Sequence, residues 1–235
     1  MQELLRGALI FALTVLPAAA VMLLLRRFTK IPDELFRKIL HFILLGAYFP
    51  VLYGFWHWWM AVVFLLLLMA AVYPLLALAG RIPAFTAFVN ERRAGEFKSS
   101  MVLALSVMSF AIALCWGLLG DKLLVLACVY AWGVGDAFAA LVGKRYGRHK
   151  IRLKWADRRK SVEGSAAMFV CAVLSVLVTL YIRGGLPAGS CLVIALAAAA
   201  VVTPVELCTK GGNDTVTCPL AAMAVILPLV QLLGG

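Results

Sequence analysis

Eight apolar runs, each long enough to cross a bilayer, constrain this chain more than anything else in it. They cover about residues 4–25, 38–54, 58–80, 100–118, 122–142, 162–182, 189–207 and 217–233 of 235. A spanning helix takes roughly 20 apolar residues, and an open sheet edge cannot satisfy its backbone inside lipid. The expectation is an all-α, polytopic integral membrane bundle of about eight transmembrane helices. Composition agrees: 64% of the residues are hydrophobic and the mean hydropathy is +1.01, where soluble domains run at about 45–50% apolar. Little chain is left outside the spans, so residues 1–235 are read as one transmembrane domain.

Charge placement orients the bundle. A net charge of +11 suggests nucleic acid in a soluble protein, but here position matters more than total. Nineteen of the 22 Lys and Arg fall in the connections after spans one, three, five and seven. Only Arg6, Lys122 and Arg183 fall on the other side. The positive-inside rule makes the basic side cytoplasmic and both termini non-cytoplasmic. Membrane lipids are then the expected surroundings, and nucleic acid is not an expected partner. A signal peptide carries its positive charge ahead of the apolar run. Here one Arg precedes the first run and three cations follow it, so it is read as a retained span. The six cysteines include no CxxC pair and are read as small packing residues.

Nearly all the polar chemistry lies on the cytoplasmic side. The outer connections are short, and the first is aromatic (Tyr53, Phe55, Trp56, Trp58, Trp59), as an interfacial belt requires. His57 is assigned to that belt. A transporter places polar groups near the midplane of several spans. An enzyme drawing a soluble substrate from the cytosol gathers them at one face, as this chain does.

Four clusters stand out. Arg37, Lys38 and His41 share one helical edge by their i,i+3 and i,i+4 spacing, either as an interfacial anchor or as a phosphate clamp. Asp136 lies within span five, and a carboxylate at that depth is expensive enough to suggest function. With Ala140, Gly143 and Gly147 it forms one stripe toward the cytosol, suited to helix packing or to close approach of a phosphate or another backbone. Lys160, Ser161, Glu163, Gly164 and Ser165 open span six, where free N–H groups and the positive helix end attract anions. The spacing is not that of a Walker motif. Glu206 ends span seven, and Gly211, Gly212, Asn213 and Asp214 follow it. A further charged stretch, 90–98, holds Glu91 and Glu96, either of which could bind a cation or pair with Arg92 or Arg93. Between Asp136 and Lys160 runs a loop of high positive charge that includes Lys144. Magnesium suits such a site, because it favours one or two protein carboxylates with phosphate and water completing its shell.

Taken together, four motifs resemble the CTP-dependent lipid-alcohol kinases: dolichol kinase, phytol kinase and the CTP-using diacylglycerol kinases. They are Arg37-Lys38-x-x-His41, Gly135-Asp136 with Gly143 and Gly147, Lys160-Ser161-x-Glu163-Gly164-Ser165, and Asn213-Asp214 before Pro219. The resemblance runs from about residue 37 to 220. The family often has Asp-Asn where this chain has Asn213-Asp214. The core block also resembles phosphatidate cytidylyltransferase, but that enzyme's Pro-Gly-His-Gly-Gly signature has no counterpart here.

The resemblance implies a membrane kinase that moves the terminal phosphate of CTP to a lipid alcohol (polyprenol, phytol or diacylglycerol type) at the cytoplasmic leaflet, with Mg2+ as cofactor. It implies an integral protein of the bacterial inner membrane with its site facing the cytoplasm. The catalytic candidates are Arg37, Lys38, His41, Asp136, Lys160, Glu163 and Asp214. Of these, Asp136, Glu163 and Asp214 are the candidate metal ligands. Gly135, Gly143, Lys144, Gly147, Ser161, Gly164, Ser165 and Asn213 are the candidate nucleotide contacts. The hydroxyl's proton has three candidate acceptors, Asp136, Asp214 and His41. The alternatives are a cytidylyltransferase making a CDP-lipid and a transporter or anionic-lipid-binding protein without catalysis.

Overall fold

The computed structural model describes residues 2–89, 95–151, 160–209 and 212–234, and among them every named element is a helix. The helices are α1 (Gln2–Phe28), α2 (Asp33–Gly46), α3 (Tyr48–Gly54), α4 (Trp58–Ala79), α5 (Pro83–Val89), α6 (Glu96–Ala111), α7 (Lys122–Tyr146), α8 (Val162–Arg183), α9 (Ala188–Cys208) and α10 (Asp214–Leu232). Among the described residues eight units are long and apolar enough to cross a membrane, and α2 with α3 form one of them. They coincide with the eight runs read from sequence, with shifted ends. The second unit begins at Asp33, the fourth at Glu96 and the last at Asp214.

Local irregularities have local causes. α2 ends at Gly46 and α3 starts two residues on, with Pro50 inside it. Pro50 lacks an N–H for the carbonyl of Gly46, and its ring clashes with that carbonyl. α6 continues as a π-helical turn over Ile112–Leu118, which closes against the connection to α7.

α7 is the axle of the bundle. Within its apolar window 56% is buried, against 6% for α1 at the periphery. α8 packs along it most extensively, and α2, α10 and the end of α6 also lie against it. Small residues set the α7–α8 distance. A Cβ on Gly135 would stand 2.5 Å from Sδ of Met168, and one on Gly164 would stand 2.9 Å from the carbonyl of Ala139. Without a hydrophobic drive between helices in lipid, such close backbone contact is what holds them together.

One end of the bundle carries the three outer cations of the sequence reading. Arg6 lies over the Trp56 ring at 4.6 Å, and Lys122 over Trp116 at 4.0 Å. Arg183 reaches Asp121 at 2.5 Å. Glu3 accepts hydrogen bonds from the main-chain N–H groups of Trp56 and His57 and meets Nδ1 of His57 at 2.8 Å. His57 therefore ties α1 to the turn before α4, consistent with its assignment to the belt rather than to a site.

Candidate active site

At the opposite end, side chains from four helices and the start of a fifth meet. Lys38 projects from the second turn of α2 and sets Nζ 2.6 Å from Oδ2 of Asp136 on α7, with both side chains largely buried. A buried charge of this kind persists only when paired. One turn along α2, Nε2 of His41 stands 2.9 Å from the carbonyl of Gly133. A carbonyl only accepts, so Nε2 carries the proton. The His41 ring also meets the Trp132 ring edge-on at 5.1 Å.

Lys160, just before α8, reaches across to the end of α9. Its ammonium stands 2.8 Å from Oε1 of Glu206 and also donates to the main-chain carbonyl of Glu206. Glu206 is only 6% exposed. The charge of Lys160 acts on Asp136, and Asp214 at the start of α10 feels Asp136, Lys38 and Lys160. Asp136, Glu206 and Asp214 therefore form one electrostatic unit with Lys38 and Lys160.

Arg37 sits beside Lys38, and its Nη1 is buried without a hydrogen-bond partner, 3.9 Å from a Glu34 carboxylate oxygen. That distance is too long for a hydrogen bond. A guanidinium nitrogen left in this state is a ready site for an anionic oxygen.

The root of the basic loop is clamped. Lys150 and Ser161 form an antiparallel bridge, the N–H of Ile151 donates to Lys160, and the N–H of Val162 donates to His149. Glu163 closes the clamp. Its carboxylate accepts from the N–H groups of Arg148 and His149 and lies 2.7 Å from Nδ1 of His149. Ser161 caps α8 by accepting from the N–H of Gly164. Gly143 and Gly147 lie against this cap: a Cβ on either would stand 3.2 Å and 2.6 Å from Oγ of Ser161. The backbone that approaches these two glycines is the start of α8.

The structure thus brings together Lys38, His41, Asp136, Lys160 and Asp214. It does not bring Glu163 into the same unit, because that carboxylate is spent on the loop root. Among the described residues no group of three or more His, Cys, Asp or Glu side chains is placed to hold a metal. Gly135 and Gly164 serve α7–α8 packing. Ser165 lies in the first turn of α8, its N–H donating to Ser161. Asn213 starts α10, its carbonyl accepting from Val216 and Thr217, and Lys144 is exposed in the last turn of α7. Glu91, Arg92 and Arg93 lie outside the described residues, as do Arg152, Lys154, Arg158, Arg159, Lys210 and Gly211. Glu96 opens α6. Glu206 is the residue that sequence reasoning underweighted. Its signal was an acid at the end of a span, one of only 11 Asp and Glu in the chain.

No family model matches this chain, and no solved structure matches it. A phytol kinase from Synechocystis sp. is 30% identical to it over 206 residues, a stretch that covers 86% of this chain and 82% of that protein. The stretch is long enough to take in most of the bundle rather than one motif. With this likeness, the chain belongs to the CTP-dependent lipid-alcohol kinase family, as a membrane kinase of the lipid-alcohol type.

Proposed function

We propose that the protein transfers the terminal phosphate of CTP to the hydroxyl of a long-chain lipid alcohol at the cytoplasmic leaflet, with phytol-like isoprenoid alcohols the first acceptors to test. The observation that carries this reading is the Lys38–Asp136 pair coupled to Lys160, Glu206 and Asp214 at one end of the bundle. Lys38 pairs with Asp136 and Lys160 with Glu206, and the charges of Asp136, Lys38 and Lys160 act on Asp214. A polyanionic nucleotide cannot enter such a cluster on the lysines alone.

In this reading Asp136 and Asp214 would hold a divalent cation, with phosphate and water completing its shell, since magnesium needs only one or two protein carboxylates. Bound there, it would neutralise charge on the transferring phosphate. The remaining work falls to the chain's own groups. Lys38 and Lys160 act as point charges toward the phosphates. Arg37 supplies Nη1, which has no hydrogen-bond partner among the described residues. The clamped loop root, held by Glu163, fixes where the basic loop leaves the bundle. The acceptor oxygen bonds to the terminal phosphorus, the bond from that phosphorus to the bridging oxygen breaks, and CDP leaves. The hydroxyl proton passes to one of Asp136, Asp214 and His41.

The test uses purified protein, Mg2+, CTP labelled at the terminal phosphate and a panel of lipid alcohols. The expected result is label in the extracted lipid. Label in pyrophosphate would mean cytidylyl transfer instead, and label left in CTP with every alcohol would mean a non-catalytic protein. Both outcomes overturn the proposal.

A further inference from the structure

We infer that an apolar crevice beneath the charged cluster, about 10 Å³ as it stands and widened by its occupant, receives the head of the acceptor, and that the indole N–H of Trp132 donates a hydrogen bond to its hydroxyl oxygen. This inference rests on the lipid-alcohol kinase reading and names the acceptor's place within that site.

The crevice is lined by Leu44, Leu45, Tyr48, Val107, Val129 and Trp132, with Ala104 and Thr215 completing it. Its walls are almost wholly apolar, so they suit a hydrocarbon and repel a nucleotide. Trp132 is 5% exposed, yet among the described residues Nε1 has no acceptor. Indole nitrogen can only donate, and buried donors in folded proteins almost always find a partner. Water is a poor candidate, since an ordered water needs several polar contacts and the lining offers few. An aliphatic alcohol supplies both missing parts: a chain for the walls and an oxygen for Nε1. That oxygen keeps a second lone pair for the phosphorus.

Helical register sets the crevice directly below the charged cluster. Descending α2, Lys38 and His41 lead to Leu44, Leu45 and Tyr48 on one face. Descending α7, Asp136 leads to Trp132 and then Val129. Thr215 adjoins Asp214 on α10. The His41 ring packs on the Trp132 ring, joining the two stripes. Ala104 and Val107 come from α6, which, among the described residues, makes no extensive contact with α2. A tail can therefore leave toward lipid between α2 and α6.

Two variants and one probe test this. Trp132→Phe keeps an aromatic ring, though a smaller one, and removes the donor, and Ala104→Leu narrows the crevice. Each is expected to raise the KM for the lipid alcohol by about tenfold, the worth of one hydrogen bond or a lost methylene-sized space, with the KM for the nucleotide unchanged. A long-chain alcohol bearing a diazirine near its hydroxyl, irradiated without nucleotide, is expected to label α2, α6 or α7 residues of the crevice and to be displaced by phytol. Active variants with an unchanged acceptor KM would overturn the inference, as would labelling confined to other helices. If the wild-type protein transfers no phosphate, the kinase reading fails, and the labelling arm alone still decides the crevice.

Discussion

Lys38 and Asp136 lie 98 positions apart in sequence and 2.6 Å apart in space, and their pair ties α2 to the axle of the bundle at the depth where a lone carboxylate could not stay charged. Replacing Lys38 by Met strands that carboxylate. Thermal unfolding in detergent should then show a loss of about 3–5 kcal/mol. Adding Asp136→Asn should restore much of it, so the double variant should be more stable than Lys38→Met alone.

Arg37 should behave differently from its neighbour. Among the described residues its Nη1 is buried and makes no hydrogen bond, so Arg37→Met removes an unsatisfied donor. Stability should hold or rise. The KM for the nucleotide should rise by about 10- to 100-fold, the worth of a charge-assisted hydrogen bond. An unchanged KM for the nucleotide would remove Arg37 from the phosphate clamp.

Gly164 sits where α8 meets α7, and a Cβ there would press on the carbonyl of Ala139 at 2.9 Å and on Cα of Gly143 at 3.3 Å. Gly164→Leu should cost about 1–3 kcal/mol by overpacking. Because the same contact sets Lys160 relative to Asp136, turnover should fall before the fold is lost. Unfolding curves and initial rates on the same preparations check both.

Glu163 separates two roles that its sequence position left together. Bonded to Arg148 and His149, it should act by holding the loop root. Glu163→Gln should lower kcat/KM for the nucleotide by about 10- to 100-fold through misplacement. The Mg2+ concentration giving half-maximal rate should stay where it is in the wild type. A large shift in that concentration would return Glu163 to the metal.

Much of this architecture is legible in the sequence, because hydrocarbon imposes a length and an apolarity on every span. The eight runs follow from that. What stays hidden is which side of each helix faces a neighbour. A helix apolar all round shows little preferred face, as in α4 and α9. The unpartnered Nε1 of Trp132 is invisible for that reason, since in sequence it is one more aromatic in a span. The pairing of Lys160 with Glu206 is hidden as well, because nothing local links two residues 46 positions apart. Glu163 looked like a ligand because the Ser161-to-Ser165 block is compact, and only the fold shows His149 returning to meet it. The helix starts at Asp33, Glu96 and Asp214 lie earlier than hydropathy places them, because a polar first turn is helical without being apolar.

The central claim is that Asp136 and Asp214 together hold the cation that lets a nucleotide sit on this cluster. Its most direct test is the rate of terminal-phosphate transfer as a function of Mg2+ in wild type, Asp136→Asn and Asp214→Asn, each shown to be folded. The expected result is no transfer without a divalent cation, a fall of at least about 10²- to 10³-fold in Asp136→Asn at any Mg2+ concentration, and a raised Mg2+ requirement in Asp214→Asn. Full activity in a folded Asp136→Asn protein would contradict it.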